Sequence, residues 1–274
     1  MNDALKKFVD EVRAVYAPVV TGPASRIDRG DILWGQFEIA VAACDSRASD
    51  SARKLTERVN EMVVAKILAD DPLIADRIAY EPDFLPHGRR IDFFTSCNEE
   101  KLHVEVKTVH PQAPDDDEPS WREYLRQSEF NPPYPHFDAE REWMSGALYG
   151  NRFSARFDFL EYALDFEVRL ADAKTIGRGS GILVFCGNGF AWNRSDLEDF
   201  VDFYRSRIHR PDDALALMEQ CYIKDEDIHV RRNIDHFACL TRPAECALPI
   251  GFACPVVGPR LASPGSLMTG PKQR

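Results

Sequence analysis

The chain has 274 residues and a formal net charge of −11, and 44% of its residues are hydrophobic and 29% charged. This composition predicts a globular protein with one large domain or two small ones. The chain contains no apolar run of about eighteen residues and no apolar leader, so we expect a cytoplasmic protein without a membrane span. The seven cysteines include no Cys-x-x-Cys pair, which predicts free thiols.

Residues 1–50 predict a helical segment that precedes the main domain. Apolar residues recur at helical spacing in residues 3–16 and again in residues 31–44. Pro18 and Gly22 are expected to end the first of these helices. We expect both helices to pack against the sheet of the following domain.

Residues 51–210 predict the core domain, which begins with an acidic helix. This helix, Ser51 to Asp70, carries Glu57 and Glu61 and ends before Pro72. A short strand is predicted at residues 78–80.

The next two predicted strands carry the most informative residues of the chain. Apolar and polar residues alternate through residues 102–107, so Glu105 and Lys107 share one face of a strand. Asp92 lies in a similar run just upstream, and residues 98–100 predict the turn between the two strands. If this hairpin forms, Asp92 lies beside Glu105.

Two carboxylates brought together repel each other unless a cation lies between them. Oxygen ligands of this kind suit Mg²⁺ or Mn²⁺, which share their remaining positions with water and phosphate oxygens. A lysine beside such an ion can hold or help deprotonate an attacking water, and it can offset charge that develops on phosphorus. Asp92, Glu105 and Lys107 therefore predict metal-assisted hydrolysis of a phosphodiester.

Asp92, the Glu105-Val106-Lys107 element and the acidic helix before them resemble the PD-(D/E)XK nuclease superfamily. The resemblance covers about residues 51–190. It implies a restriction-endonuclease-like α/β core, with a mixed sheet flanked by helices, extra N-terminal helices and a C-terminal extension. It also implies that Asp92 and Glu105 bind the metal ion and that Lys107 positions the water.

The family often adds a glutamate from the helix before the first strand. We assign this role to Glu61, which leads an apolar half of the helix, and Glu57 remains an alternative. The family's Pro-Asp pair is absent at Asp92 and occurs earlier as Pro82-Asp83, so Asp83 is a rival for the aspartate role. His103 shares the predicted face of Glu105, although a surface histidine without a role is the simpler interpretation.

Residues 110–150 predict an insertion in the core domain. The region combines many prolines with many aromatic residues and begins just after Lys107. Such a loop is typical of a functional segment. Its aromatic residues predict either stacking on the bases of a substrate or a packed lid or partner-binding arm.

The remaining elements complete the core and an extension. Residues 155–174 predict an amphipathic helix, residues 182–186 a buried strand, and residues 195–207 a further helix. Residues 211–274 predict a C-terminal extension, with strands at 228–230 and 236–241 and a flexible tail from about residue 257.

These patterns predict a Mg²⁺-dependent (or Mn²⁺-dependent) nuclease that acts on DNA rather than RNA, in restriction, repair or anti-phage defence. Cutting both strands of a duplex favours a homodimer. The acidic net charge argues against binding driven by general positive charge, and it leaves a second hypothesis open. In that hypothesis the chain is a catalytically inactive, nuclease-like subunit that binds nucleic acid or a protein partner. A third hypothesis is that the motif is a coincidence on an unrelated α/β protein.

Overall fold

The structure is a computed structural model that describes most of the chain up to residue 109 and four later stretches. The described residues are 3–45, 51–74, 76–97, 100–109, 142–176, 179–187 and 234–241, together with 197, 200, 201 and 204. In these ranges no helix is long and apolar enough to cross a membrane.

The described elements form an α/β protein with a central sheet. Helices α1 to α4 span Asp3–Val20, Gly30–Asp45, Ser51–Asp70 and Glu142–Ile176. Strands β1 to β6 span Ile27–Asp28, Ile78–Tyr80, Phe93–Cys97, Glu100–Thr108, Ser180–Gly187 and Ile234–Thr241.

The sheet is mixed, and its spatial order follows the order of the chain. Strands β2, β3 and β4 are antiparallel neighbours. Strand β1 runs parallel to β2. At the other side of the sheet, strands β4, β5 and β6 run parallel to one another. Cys97 pairs with Glu100 and Phe93 with Val104, so β3 and β4 form the predicted hairpin. The predicted mixed sheet flanked by helices is confirmed.

Helices cover both faces of the sheet and create two hydrophobic cores. Helices α1, α2 and α3 pack on one face, where Phe37, Leu55 and Phe93 are fully buried. Helix α4 packs on the other face, where Phe166 of α4 and Leu183 of β5 are buried in one cluster. The N-terminal helices therefore share a core with the sheet, as expected.

Strand β4 is buried on both faces, because α4 packs over the face that was expected to be exposed. The sequence predicted one apolar face and one charged outer face, but residues 102–106 of β4 are all buried. Glu105 is 0% exposed. The interpretation of His103 as a surface histidine is wrong, because it is 2% exposed and its ring lies beside those of Phe84 and Phe94.

Two helix boundaries differ from the predictions. Helix α1 continues through Pro18 to Val20, because proline fits helical backbone angles and removes only one hydrogen bond near a helix end. The chain turns at Gly22, where a Cβ atom would lie 2.2 Å from the carbonyl oxygen of Pro18. Helix α4 begins at Glu142 rather than at residue 155.

Several predicted features lie outside the described residues. They are residues 110–141 of the insertion, the strand at 228–230, and all of the C-terminal extension except residues 234–241. Of the predicted helix 195–207 only four residues are described. Leu197, Phe200 and Tyr204 among them are buried in the same core as α4.

Candidate active site

The hairpin brings Asp92 beside the strand that carries Glu105 and Lys107. Asp92 directly precedes β3, and its Oδ2 accepts a 2.7 Å hydrogen bond from the backbone N–H of Val106. Phe93 pairs with Val104 across the hairpin, so Asp92 lies opposite Glu105. The structure thus places the two predicted carboxylates together at one end of the β3–β4 pair.

The two carboxylates influence each other because the site is shielded from water. Asp92 is partly exposed as a residue, but its carboxyl group is surrounded by protein. Burial raises the pKa of Asp92 well above its ordinary value, and the charges of Glu105 and Glu61 raise it further. This repulsion is what a bound cation would relieve.

Two cations contact Glu105 at a single oxygen atom. Nζ of Lys107 lies 2.9 Å from Oε1 of Glu105, and Nη1 of Arg169 lies 2.7 Å from the same atom. These contacts are ion pairs rather than aligned hydrogen bonds, and Oε2 has no hydrogen-bond partner among the described residues. A buried carboxylate oxygen without a partner is uncommon in folded proteins. Glu105 therefore has one oxygen whose capacity to accept a ligand is unused.

Lys107 is charged at neutral pH. Burial lowers its pKa, but the charges of Glu105 and Asp92 outweigh burial, and the pKa of Lys107 is raised. Its ammonium group also lies 5.5 Å from the ring centroid of Tyr162 on α4, a cation–π contact. Lys107 is therefore suited to donate a hydrogen bond to a water or a phosphate oxygen rather than to remove a proton.

Glu61 reaches the same region from α3, but other side chains already bind it. Nη1 of Arg58 lies 2.8 Å from both carboxylate oxygens, and the Tyr80 hydroxyl donates a 2.8 Å hydrogen bond to Oε2. Burial raises the pKa of Glu61 to about 7, although Arg58 and Tyr80 act to lower it. Glu61 is close enough to raise the pKa of Asp92. Its role as a metal ligand stays a prediction.

The alternatives Glu57 and Asp83 lie in different surroundings. Glu57 is half-buried on α3, and its charge adds a small part to the raised pKa of Tyr162, which is mainly due to burial. Asp83 is 66% exposed and forms ion pairs with Arg29 and Arg90. The hydrogen bond to β4 and the neighbouring carboxylates favour Asp92 over Asp83 for the aspartate role.

Sequence reasoning missed Glu81, which holds the backbone of Asp92. The N–H of Glu81 donates a 2.8 Å hydrogen bond to the carbonyl oxygen of Asp92. Glu81 has a φ of 40°, and the carbonyl of this left-handed residue accepts a 2.6 Å hydrogen bond from Arg29, whose φ is 63°. Such strained backbone occurs preferentially near functional sites. A β-strand pattern that ends at Tyr80 gives no signal for it.

Sequence reasoning also missed Arg169, which reaches Glu105 from α4. Arg169 and Asp165 are four residues apart on one helix face, a spacing typical of a solvent-exposed ion pair. Nothing in this spacing indicates a contact with β4. Only the packing of α4 on the sheet brings Arg169 to Glu105.

Asp92 and Glu105 fit a divalent ion that keeps several of its water ligands. No three His, Cys, Asp or Glu side chains form a metal-binding group within the described ranges. Mg²⁺ is commonly held by one or two carboxylates together with water and substrate phosphate. The unpartnered Oε2 of Glu105 and the raised pKa of Asp92 are consistent with such a two-carboxylate site.

Comparison of the chain with protein-family models, with curated proteins and with solved structures gives no match.

Proposed function

We propose that the chain is a metal-dependent nuclease with a restriction-endonuclease-like core. The observation that carries this proposal is the convergence of Asp92 and Glu105 from adjacent strands, with Lys107 in contact with Glu105. The order of elements supports it. Helix α3, which carries Glu57 and Glu61, precedes the antiparallel β2–β3–β4 unit, and α4 then leads to β5, which is parallel to β4.

Each residue of the site has a separate task in this proposal. Asp92 and Glu105 hold Mg²⁺ or Mn²⁺, which supplies Lewis acidity toward a water and a phosphate oxygen. Lys107, which stays protonated, orients the attacking water and offsets negative charge at the phosphate. Glu61 orients a water bound to the ion or contributes to a second ion position.

The proposed substrate is DNA, and RNA is the alternative. The basic residues Arg89 and Arg90 are both paired with carboxylates, which are those of Asp172 and Glu81. Both arginines are therefore already engaged in ion pairs and are weak candidates for phosphate contacts. Contacts with the bases are expected from residues 110–141, whose aromatic side chains suit stacking. A homodimer would supply two active sites for a duplex.

A second candidate function is a nuclease-like subunit that binds without cutting. Two cations at Glu105 and the hydrogen bonds of Glu61 favour it, because these two carboxylates already have partners without a metal ion. The acidic net charge favours a protein partner over nucleic acid in that case.

A cleavage assay tests the proposed function. Single-stranded and duplex DNA and RNA are incubated with the full chain in Mg²⁺, Mn²⁺ or EDTA. The matched variants are Lys107→Met and Lys101→Met, because Lys101 lies on the same strand but is exposed. We expect metal-dependent cleavage that falls by at least about a hundredfold in Lys107→Met and persists in Lys101→Met. Equal cleavage by both variants would contradict the role of Lys107, and no cleavage by the wild type with any metal ion would favour the binding subunit.

A further inference from the structure

Arg169 is a partly buried cation that the proposed reaction does not use. It projects from α4 onto β4, and its side chain is 12% exposed. Its Nη1 lies 2.7 Å from Oε1 of Glu105, the same oxygen that Lys107 contacts. One oxygen of Glu105 thus serves two cations while the other oxygen has no hydrogen-bond partner in the described part of the chain.

The guanidinium group of Arg169 has further contacts besides the one with Glu105. Its Nη2 lies 2.6 Å from Oδ2 of Asp165, which is 58% exposed and lies one turn earlier on α4. Its Nη1 also donates a 2.9 Å hydrogen bond to the carbonyl oxygen of Arg90. Arg169 can therefore leave Glu105 and keep a counter-charge at the protein surface.

A divalent ion at Asp92 and Glu105 would compete with Arg169 for the same carboxylate. The ion and the guanidinium group are both positive, so they repel each other across a partly shielded site. Arginine keeps its charge under all ordinary conditions, and deprotonation cannot relieve this repulsion. Movement of the Arg169 side chain is the available response.

We propose that Arg169 is a counter-ion that occupies Glu105 until a metal ion binds and that then turns outward to bind a phosphate of the substrate. The planar guanidinium group suits this second task, because its paired N–H groups match phosphate oxygens. The metal ion and the phosphodiester then bind cooperatively, since each favours the outward position of Arg169. This inference rests on the proposed function, because it assumes that Glu105 is a metal ligand.

Mn²⁺ affinity measured without nucleic acid tests this inference. Free Mn²⁺ is followed by electron paramagnetic resonance during titration of the wild type, Arg169→Met and Arg89→Met. Arg89 is the matched control, because it also forms a 2.8 Å ion pair with a carboxylate of α4 but lies away from Glu105. We expect Arg169→Met to bind Mn²⁺ about tenfold more tightly and Arg89→Met to match the wild type.

A second variant changes Mn²⁺ affinity in the opposite direction. Asp165→Asn removes the surface counter-charge and leaves Arg169 with Glu105 as its remaining carboxylate. We expect Mn²⁺ binding about threefold weaker than in the wild type, within the usual range of coupling between charged sites. Because Asp165 is exposed, this variant is expected to fold even if Arg169→Met does not.

A phosphorothioate oligodeoxynucleotide added to the same titration measures the cooperativity. It should tighten Mn²⁺ binding in the wild type and have a smaller effect in Arg169→Met. Unchanged or weaker Mn²⁺ binding in Arg169→Met, or unchanged binding in Asp165→Asn, would overturn the role of Arg169. If Glu105→Gln and the wild type bind Mn²⁺ equally, the metal site itself fails, and the proposed function fails with it.

Discussion

Glu105 is held at the centre of the site by charge rather than by hydrogen bonds. It is fully buried, and its two close contacts are with the cationic groups of Lys107 and Arg169. Breaking such a pair by removing a cation leaves an uncompensated buried charge, which is strongly destabilising. The same arrangement leaves one oxygen of Glu105 available to a ligand.

Asp92 is expected to destabilise the metal-free protein at neutral pH. Its raised pKa means that ionising it costs free energy in the folded chain. Asp92→Asn removes this cost and keeps an oxygen that accepts the Val106 hydrogen bond. We expect the free energy of unfolding in EDTA at pH 7 to rise by about 1 kcal/mol or more, measured by urea denaturation.

Asp83→Asn is the control for that measurement, because Asp83 lies on the same segment between β2 and β3 as Asp92 but is exposed. We expect its free energy of unfolding to change by less than about 0.5 kcal/mol. A decrease in stability in Asp92→Asn would show that the charge of Asp92 is already well compensated without a metal ion.

Glu61 gives the stability of the protein a pH dependence of known sign. Its pKa rises from the ordinary value of 4.5 to about 7 on folding, so the folded chain keeps this proton more tightly than the unfolded chain. Below pH 4.5 both states are protonated, and stability is lost as the pH rises from about 4.5 to about 7. Each pKa unit corresponds to about 1.4 kcal/mol, which limits the loss to about 3 kcal/mol.

Glu61→Gln tests this dependence, because glutamine still accepts hydrogen bonds from Arg58 and Tyr80. Urea denaturation across this pH range, in EDTA, should give a shallower decline for Glu61→Gln than for the wild type. Identical declines would mean that Arg58 keeps Glu61 ionised throughout.

At the scale of elements, the packing of α4 on the sheet creates the site. Helix α4 supplies Arg169 and Tyr162, and it covers the face of β4 that carries Glu105 and Lys107. Leu170 of α4 packs directly over Gly181 of β5, where a Cβ atom would lie 2.1 Å from Cδ2 of Leu170. The absence of a side chain at Gly181 therefore sets how closely α4 approaches the sheet.

Gly181→Ala tests this packing. Because Leu170 is fully buried, its side chain or α4 must shift, and we expect the free energy of unfolding to fall by about 1–3 kcal/mol. Gly35→Ala is the matched control, since a Cβ atom at this position in α2 meets no atom within 4 Å. It should gain about 0.5–1 kcal/mol by reducing the freedom of the unfolded chain. Thermal unfolding of both variants measures these changes. A Gly181→Ala protein with the stability of the wild type would contradict close packing of Leu170 over Gly181.

The elements were predictable to the extent that local patterns determine them. The helix over residues 51–70 and the strand at 78–80 have the predicted bounds, because apolar spacing and a following proline define them. Helix α4 was predicted too short because the aromatic residues near Trp143 were grouped with the preceding prolines. The last proline of that region is Pro135, and no helix-breaking proline follows it before α4 ends.

At the scale of the whole molecule, two cores enclose a sheet whose middle strand carries charge. The hairpin of β3 and β4 could be predicted from alternation and a turn, so the convergence of Asp92 and Glu105 was predictable. The contacts of Arg169 and Glu81 depend on how distant segments pack, and no local pattern encodes them. The sequence therefore predicts Asp92, Glu105 and Lys107 as neighbours, but it does not predict the contact of Arg169 with Glu105.

The central claim is that Asp92 and Glu105 together hold a divalent ion. Anomalous diffraction from a crystal of the full chain grown with Mn²⁺ and a phosphorothioate oligodeoxynucleotide tests it most directly. We predict a manganese peak within coordination distance of both carboxylates, with Arg169 turned away from Glu105. A map without this peak, in which Lys107 and Arg169 still contact Glu105, would contradict the account.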